Sequence, residues 1–195
     1  MTLLTMIMKM SEGLGKTCAI FFLTILFSLP LGMLITLLRM SKNKVVSSVT
    51  RFVIAVLRGT PLMLQLFFIY YGLPFVNDFF KTALHSAMVC ALIGFSLNYA
   101  AYFAEIFRGG ISSIPVGQRE AAQTLGLSRA QTFFSVLLPQ TAKRVLLPVT
   151  NEVITLVKDT ALASTIAVAD LMSQAERQVS NSSSIEPYIV AMLIY

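Results

Sequence analysis

Charge is what this chain has least of: Asp, Glu, Lys and Arg make up 12% of its 195 residues, while 56% are apolar. That balance lies outside the habits of a soluble domain and makes the membrane the first environment to test. Histidine occurs once and cysteine twice. His85 has no acidic or cysteine neighbour to make it a base or a ligand. Cys18 and Cys90 sit in different apolar segments without metal-ligand spacing and read as small packing residues. No serine, histidine and acid combine for hydrolysis, so the chain is expected to be no enzyme, with no catalytic residue, metal site or cofactor of its own. Gly15-Lys16-Thr17 imitates the end of a phosphate-binding loop, but the first glycine of such a loop would fall at Met10.

What is present is apolar length. Residues 17–38, 59–77 and 82–104 contain no Lys, Arg, Asp or Glu, and about 20 such residues are what an α-helix needs to cross the hydrocarbon. The first run has no small-residue cleavage site behind it and reads as a retained span. A fourth segment, 145–157, leads into Lys158 and Asp159 and carries Glu152. A fifth begins at Pro187 and reaches only Tyr195, so it is expected to be incomplete in this chain. The expected fold is all-α: a polytopic helix bundle of five spans, one transmembrane domain over residues 1–195.

Lys and Arg near span ends stay in the cytoplasm. Arg39, Lys42, Lys44 and Arg51 follow the first span, and Arg108, Arg119, Arg129, Lys143 and Arg144 follow the third. Both stretches should be cytoplasmic, with the N-terminus and the serines at 180–184 outside. The net charge of +6 is then a matter of topology and does not point to nucleic acid. Within the second basic stretch, about 108–135, PVGQREAAQTLGLSRAQTFF reads as a short helix, a stop at Gly126 and a second helix opened by Ser128 and Gln131. Ala121 and Ala122 would let another surface approach, and Arg119, Glu120 and Gln123 would give it polar grips.

Glu120-Ala121-Ala122, then Gly126, then Val136-Leu137-Leu138-Pro139 resembles the EAA loop of ABC importer permeases. Arg58-Gly59-Thr60-Pro61-Leu62 with Gln65-Leu66 resembles a signature of the polar amino acid branch, and Lys158-Asp159-Thr160-Ala161-Leu162 a further segment of it. The resemblance implies a type I importer half in a bacterial-type plasma membrane, carrying polar amino acids, with cationic ones as candidates, by ATP-driven alternating access. It also implies a homodimer or a similar second permease, two cytoplasmic ATPases that bind the ATP and Mg, and an external solute-binding protein. Arg119, Glu120, Ala121, Ala122 and Gly126 would couple to the ATPase.

Polar residues inside spans are costly and mark pathways or partners. Glu152 and Asp159 lie seven apart, about 20° from eclipsed on a helix, with Thr155 on the same face. Asn98, Tyr102 and Glu105 recur at steps of four and three, and the second span adds Gln65 and Tyr70. Glu152, Asp159, Asn98, Tyr102, Tyr70 and Gln65 are the candidate substrate contacts. The competing reading pairs Glu152 with Lys158 or Arg144, and Asp159 with Lys158, as struts between helices. Arg58 and Thr60 read as braces at the start of the second span. Two other function classes compete. An ion-coupled secondary transporter or channel would share the intramembrane acids but need no docking loop. A membrane-tethered helix-turn-helix regulator would set residues 120–131 in a separable domain.

Overall fold

The computed structural model describes residues 3–195. In chain order the helices are α1 Leu3–Arg39, α2 Lys44–Gly59, α3 Leu62–Phe67, α4 Leu73–Val76 and α5 Asp78–Ala83, followed by α6 Ala87–Ser112 and α7 Val116–Thr124. The chain continues through α8 Arg129–Gln131, α9 Leu138–Asp159, α10 Leu171–Ser182 and α11 Glu186–Ile194. Wide π turns join α3 to α4 and α8 to α9, and a 3₁₀ segment, Thr160–Ile166, leads out of α9.

Among the described residues two helical stretches, Met10–Arg39 and Ala87–Ser112, are long and apolar enough to cross a membrane. The second expected span is corrected. The helix within residues 59–77 starts only at Leu62 and ends at Val76, because the chain bends by 105° between α2 and Leu62–Val76. The cause is local. Thr60 is extended, and Pro61 has no N–H to continue the ladder from α2. The basic stretch after the first span is correspondingly helix for most of its length, opened by Asn43, whose side chain accepts from Val45 N–H at 2.9 Å.

α6 is the central helix, burying Phe95, Tyr99, Ala100, Phe103 and Ala104. α1 lies along it at close range. A Cβ on Gly32 would stand 2.8 Å from that of Phe103, and the Thr36 hydroxyl bonds the Ala104 carbonyl at 3.0 Å. Small residues and interhelical hydrogen bonds are how helices associate where hydrocarbon supplies no hydrophobic drive. α9 crosses α6 at Gly110, which leaves no room for a side chain against Val145 and Thr141. Ile20, Leu66, Phe95, Leu156 and Ile166 bring α1, α3, α6, α9 and the 3₁₀ segment into one core. Apolar side chains such as Phe22 and Leu26 on α1 and Phe52 on α2 face outward, the arrangement that suits lipid.

Candidate functional site

A cavity of about 430 Å³ opens where α2 breaks from α3. Its lining comes from the break itself, Arg58 to Leu62, from Asn98, Tyr99 and Tyr102 on α6, and from Glu152, Thr155, Asp159 and Leu162. The seven-residue spacing of Glu152 and Asp159 does place both, with Thr155, on one side of α9, because α9 is helical through Asp159. Tyr99 donates to Asp159 Oδ2 at 2.7 Å. The Arg58 guanidinium lies over the Tyr102 ring, 4.9 Å from its centroid, a cation–π contact that holds a positive group at the cavity without neutralising it.

The remaining candidates divide. Asn98 reaches the lining, but its amide nitrogen donates to the Leu57 carbonyl at 3.0 Å and to Gln65 Oε1 at 3.1 Å. Gln65 donates in turn to the Leu57 carbonyl at 2.7 Å and the Thr60 hydroxyl at 2.7 Å. The pair splints the bend by satisfying backbone groups that the broken helix leaves without partners. Gln65 and Tyr70 are not among the lining residues; the Tyr70 ring packs against Tyr71 with centroids 4.7 Å apart. Glu105 departs from the Asn98 and Tyr102 stripe. It pairs with Arg108 at 2.7 Å and stands 3.8 Å from Arg39, fastening α6 to the end of α1.

The strut pairings of the acids are not present. Arg144 instead bonds the Ser113 carbonyl and its hydroxyl. Lys158 lines a separate, mostly apolar cavity of about 540 Å³ with Met172, Tyr188 and Tyr195. Arg58, Thr60 and Tyr99 are the site residues that sequence reasoning missed. Tyr99 was findable, since it is three residues from Tyr102 and shares its helix face. Arg58 was not, because only the bend at Gly59 to Pro61 turns the end of α2 into the same space as α6 and α9.

The loop around Gly126 has the expected local geometry. Gly126 sits at φ +75°, the left-handed region a helix stop needs. Leu127 N–H reaches the Ala122 carbonyl at 3.0 Å and Gly126 N–H the Gln123 carbonyl at 2.9 Å, the two bonds of a Schellman stop. Ser128 and Gln131 form a reciprocal capping box. One expectation is corrected: Ala122 is 2% exposed, so of the two alanines only Ala121 faces outward, beside the exposed Arg119, Glu120 and Gln123. The loop is fastened to α9 by Gln140, which donates to Gln118 at 3.1 Å. The helix-turn-helix pattern is thereby built into the bundle, running through the π turn at Thr132–Leu137 straight into α9.

Comparison with known proteins bears on the fold and the family. Residues 28–195 match the family model of the binding-protein-dependent transport system inner membrane component. The chain is 41% identical over 165 residues to a probable amino-acid ABC transporter permease protein, YckA, of Bacillus subtilis, covering 85% of this chain and 71% of that one. It is 37% identical over 185 residues to the arginine transport system permease protein ArtQ of the same organism, covering 94% and 83%. A crystal structure of an amino acid ABC transporter with histidines superposes with a TM-score of 0.87 at 34% identity, covering 100% of this chain and 91% of that one.

Proposed function

The chain belongs to the family of binding-protein-dependent transport system inner membrane components and is an amino-acid ABC transporter permease subunit; on that premise we propose that it carries cationic amino acids inward by ATP-driven alternating access. The observation that carries the proposal is the composition of the cavity. Two carboxylates, Glu152 and Asp159, share it with one guanidinium, Arg58. A cationic amino acid has the reverse set: one carboxylate and two cations. Arg58 is suited to the carboxylate, Glu152 and Asp159 to the ammonium and the charged side chain. Tyr99 holds Asp159 in place, and Tyr102 holds Arg58. The likeness to a relative named for arginine transport supports the same substrate class.

The drive comes from partners. ATP and Mg²⁺ bind to separate cytoplasmic ATPase subunits, on which the 116–131 loop docks. A second permease subunit, the same chain or a similar one, completes the pathway, and an extracytoplasmic solute-binding protein delivers the substrate. The N-terminus lies outside, because Arg39, Lys42, Lys44 and Arg51 follow the first span. Force has a short route. Gln118 of α7 is tied to Gln140 of α9, so movement of α7 tilts α9. From Arg144 to Glu152 is eight residues, about 12 Å of helix, and the acids move with it. A charged pair at the break and on a tilting helix is thus opened to one side and then the other.

The test is reconstitution in liposomes with the cognate ATPase and binding protein. Uptake of arginine that requires ATP and exceeds uptake of a neutral polar amino acid is the expected result. Uptake that follows an ion gradient and ignores ATP would overturn it and favour an ion-coupled carrier.

A further inference from the structure

One acid outside the cavity is more deeply enclosed than either acid within it. Asp170, in the connection between the fourth and fifth segments, is 0% exposed. It caps α10: Oδ1 accepts from Ser173 N–H at 2.9 Å, while Oδ2 has no hydrogen-bond partner among the described residues. Four elements close around it. Gly13 of α1 leaves no room for a side chain against the Asp170 carbonyl. The N–H of Leu171, first residue of α10, donates to the Thr17 hydroxyl of α1 at 3.1 Å. The Tyr195 phenol, at the end of α11, faces the carboxyl and is also without a partner. Thr160 of the 3₁₀ segment, fully buried, stands beside Tyr195.

No cation answers this carboxyl among the described residues, whose ion pairs are those of Glu105 with Arg39 and Arg108. Glu12 and Lys16 on α1, Glu176 and Arg177 on α10 and Glu186 on α11 are exposed. A carboxylate taken out of water without a counter-charge gives way to the neutral acid. Burial accordingly pushes the Asp170 carboxyl up to about 6, with the hydrogen bond from Ser173 N–H opposing the rise and repulsion from Glu176 adding to it. Once protonated, the acid gains an O–H, for which the open phenol oxygen of Tyr195 is an acceptor.

We propose that Asp170 is a proton-operated lock between α10 and α1: the neutral acid keeps the four elements closed, and the carboxylate draws in water and loosens the start of α10. What the lock holds reaches the cavity. Between Asp159 and Asp170 the chain is short and buried at Thr160, Ala163, Ile166 and Val168, so a shift at α10 is carried to the end of α9 through close-packed side chains. The direction with pH follows from the raised pKa. An unfolded aspartate titrates near about 3.9, so the folded chain holds the proton more tightly than the unfolded one. Stability therefore falls as pH rises from about 4 to about 6 and stays low above that window.

The experiment follows thermal unfolding and amide hydrogen exchange of the full chain in detergent at about pH 5 and about pH 7.5. The parent's unfolding midpoint is expected to be at least about 2 °C lower at the higher pH. Exchange, corrected for the intrinsic effect of pH, should quicken around Leu171 to Gln174. Asp170→Asn keeps the helix cap and cannot ionise. It should lose most of the pH difference and match the acidic parent at both pH values. If it fails to fold, Asp170→Ser makes the same test, since serine also caps and carries no charge. A parent midpoint that does not fall, or a pH difference as large in the neutral variant as in the parent, would overturn the lock. So would exchange that quickens evenly along the chain, because the loosening would then not be centred on Asp170.

Discussion

Tyr99 and Asp159, sixty residues apart in sequence, are joined by a 2.7 Å hydrogen bond from the phenol to the carboxylate. The bond links the middle of α6 to the last residue of α9 and fixes one of the two acids of the cavity. Glu152, about two turns away on the same helix, has no such anchor among the hydrogen bonds of the described residues. The two acids therefore differ in kind: one is held by a hydrogen bond within the protein, the other is not.

Removing the charge from Glu152 tests that division. Glu152→Gln is expected to lower the affinity for arginine at least about tenfold, the scale of one charge-assisted contact. Co-purification with the ATPase should persist, since Glu152 lies far from the loop. Binding of arginine to the purified complex measures the first, and subunit stoichiometry the second. Unchanged affinity would return Glu152 to a structural part.

Tyr99→Phe removes the anchor of Asp159 and keeps the ring. A loss of stability of about 1–2 kcal/mol is expected from leaving a part-buried acceptor without its donor, read as a lower midpoint of thermal unfolding in detergent. Because Asp159 then moves freely, the concentration of arginine needed for half-maximal uptake should rise more than the maximal rate falls. A variant as stable as the parent would show that the bond contributes nothing net.

Gly126 is the stop of α7 and needs a positive φ. Proline cannot adopt it and also lacks the N–H that bonds the Gln123 carbonyl at 2.9 Å. Gly126→Pro should abolish coupled transport and stimulation of the ATPase, while arginine binding in the membrane cavity survives. Gly126→Ala should cost about 1 kcal/mol and reduce both partially. Full coupling in the proline variant would remove the loop from the mechanism.

The contact between α1 and α6 can be tested with two glycines of the same helix. A Cβ at Gly32 meets Phe103 and Ala100, whereas one at Gly15 meets nothing within 4 Å. Gly32→Val should destabilise the bundle by about 1–3 kcal/mol and lower the yield of folded protein in size-exclusion chromatography. Gly15→Ala should behave as the parent. Similar behaviour of the two variants would mean that the close approach at Gly32 is not needed.

Much of this protein was legible in one dimension because the bilayer and the helix impose simple periods. Length without charge marks a span, since unsatisfied backbone groups cannot stand in hydrocarbon. The 3.6-residue repeat put Glu152, Thr155 and Asp159 on one face of α9 before any packing was known. Gly126 and the Ser128 and Gln131 box announced their turn because capping is satisfied within a few residues.

Contacts between helices were not legible in that way. The 105° bend turns Arg58 into the cavity, and Gln65, which pattern alone made a substrate contact, stands outside the lining and holds that bend together with Asn98. Ala122 is buried because the turn at Gly126 folds the loop back on itself. The sequence by itself determined where the long apolar runs lie and where the loop turns, because those depend on composition and on neighbours three or four residues away. Only the tertiary structure decided which polar side chains face an open space and which are used up on one another, because a hydrogen bond between helices depends on distance in space, to which the order of residues along the chain is blind.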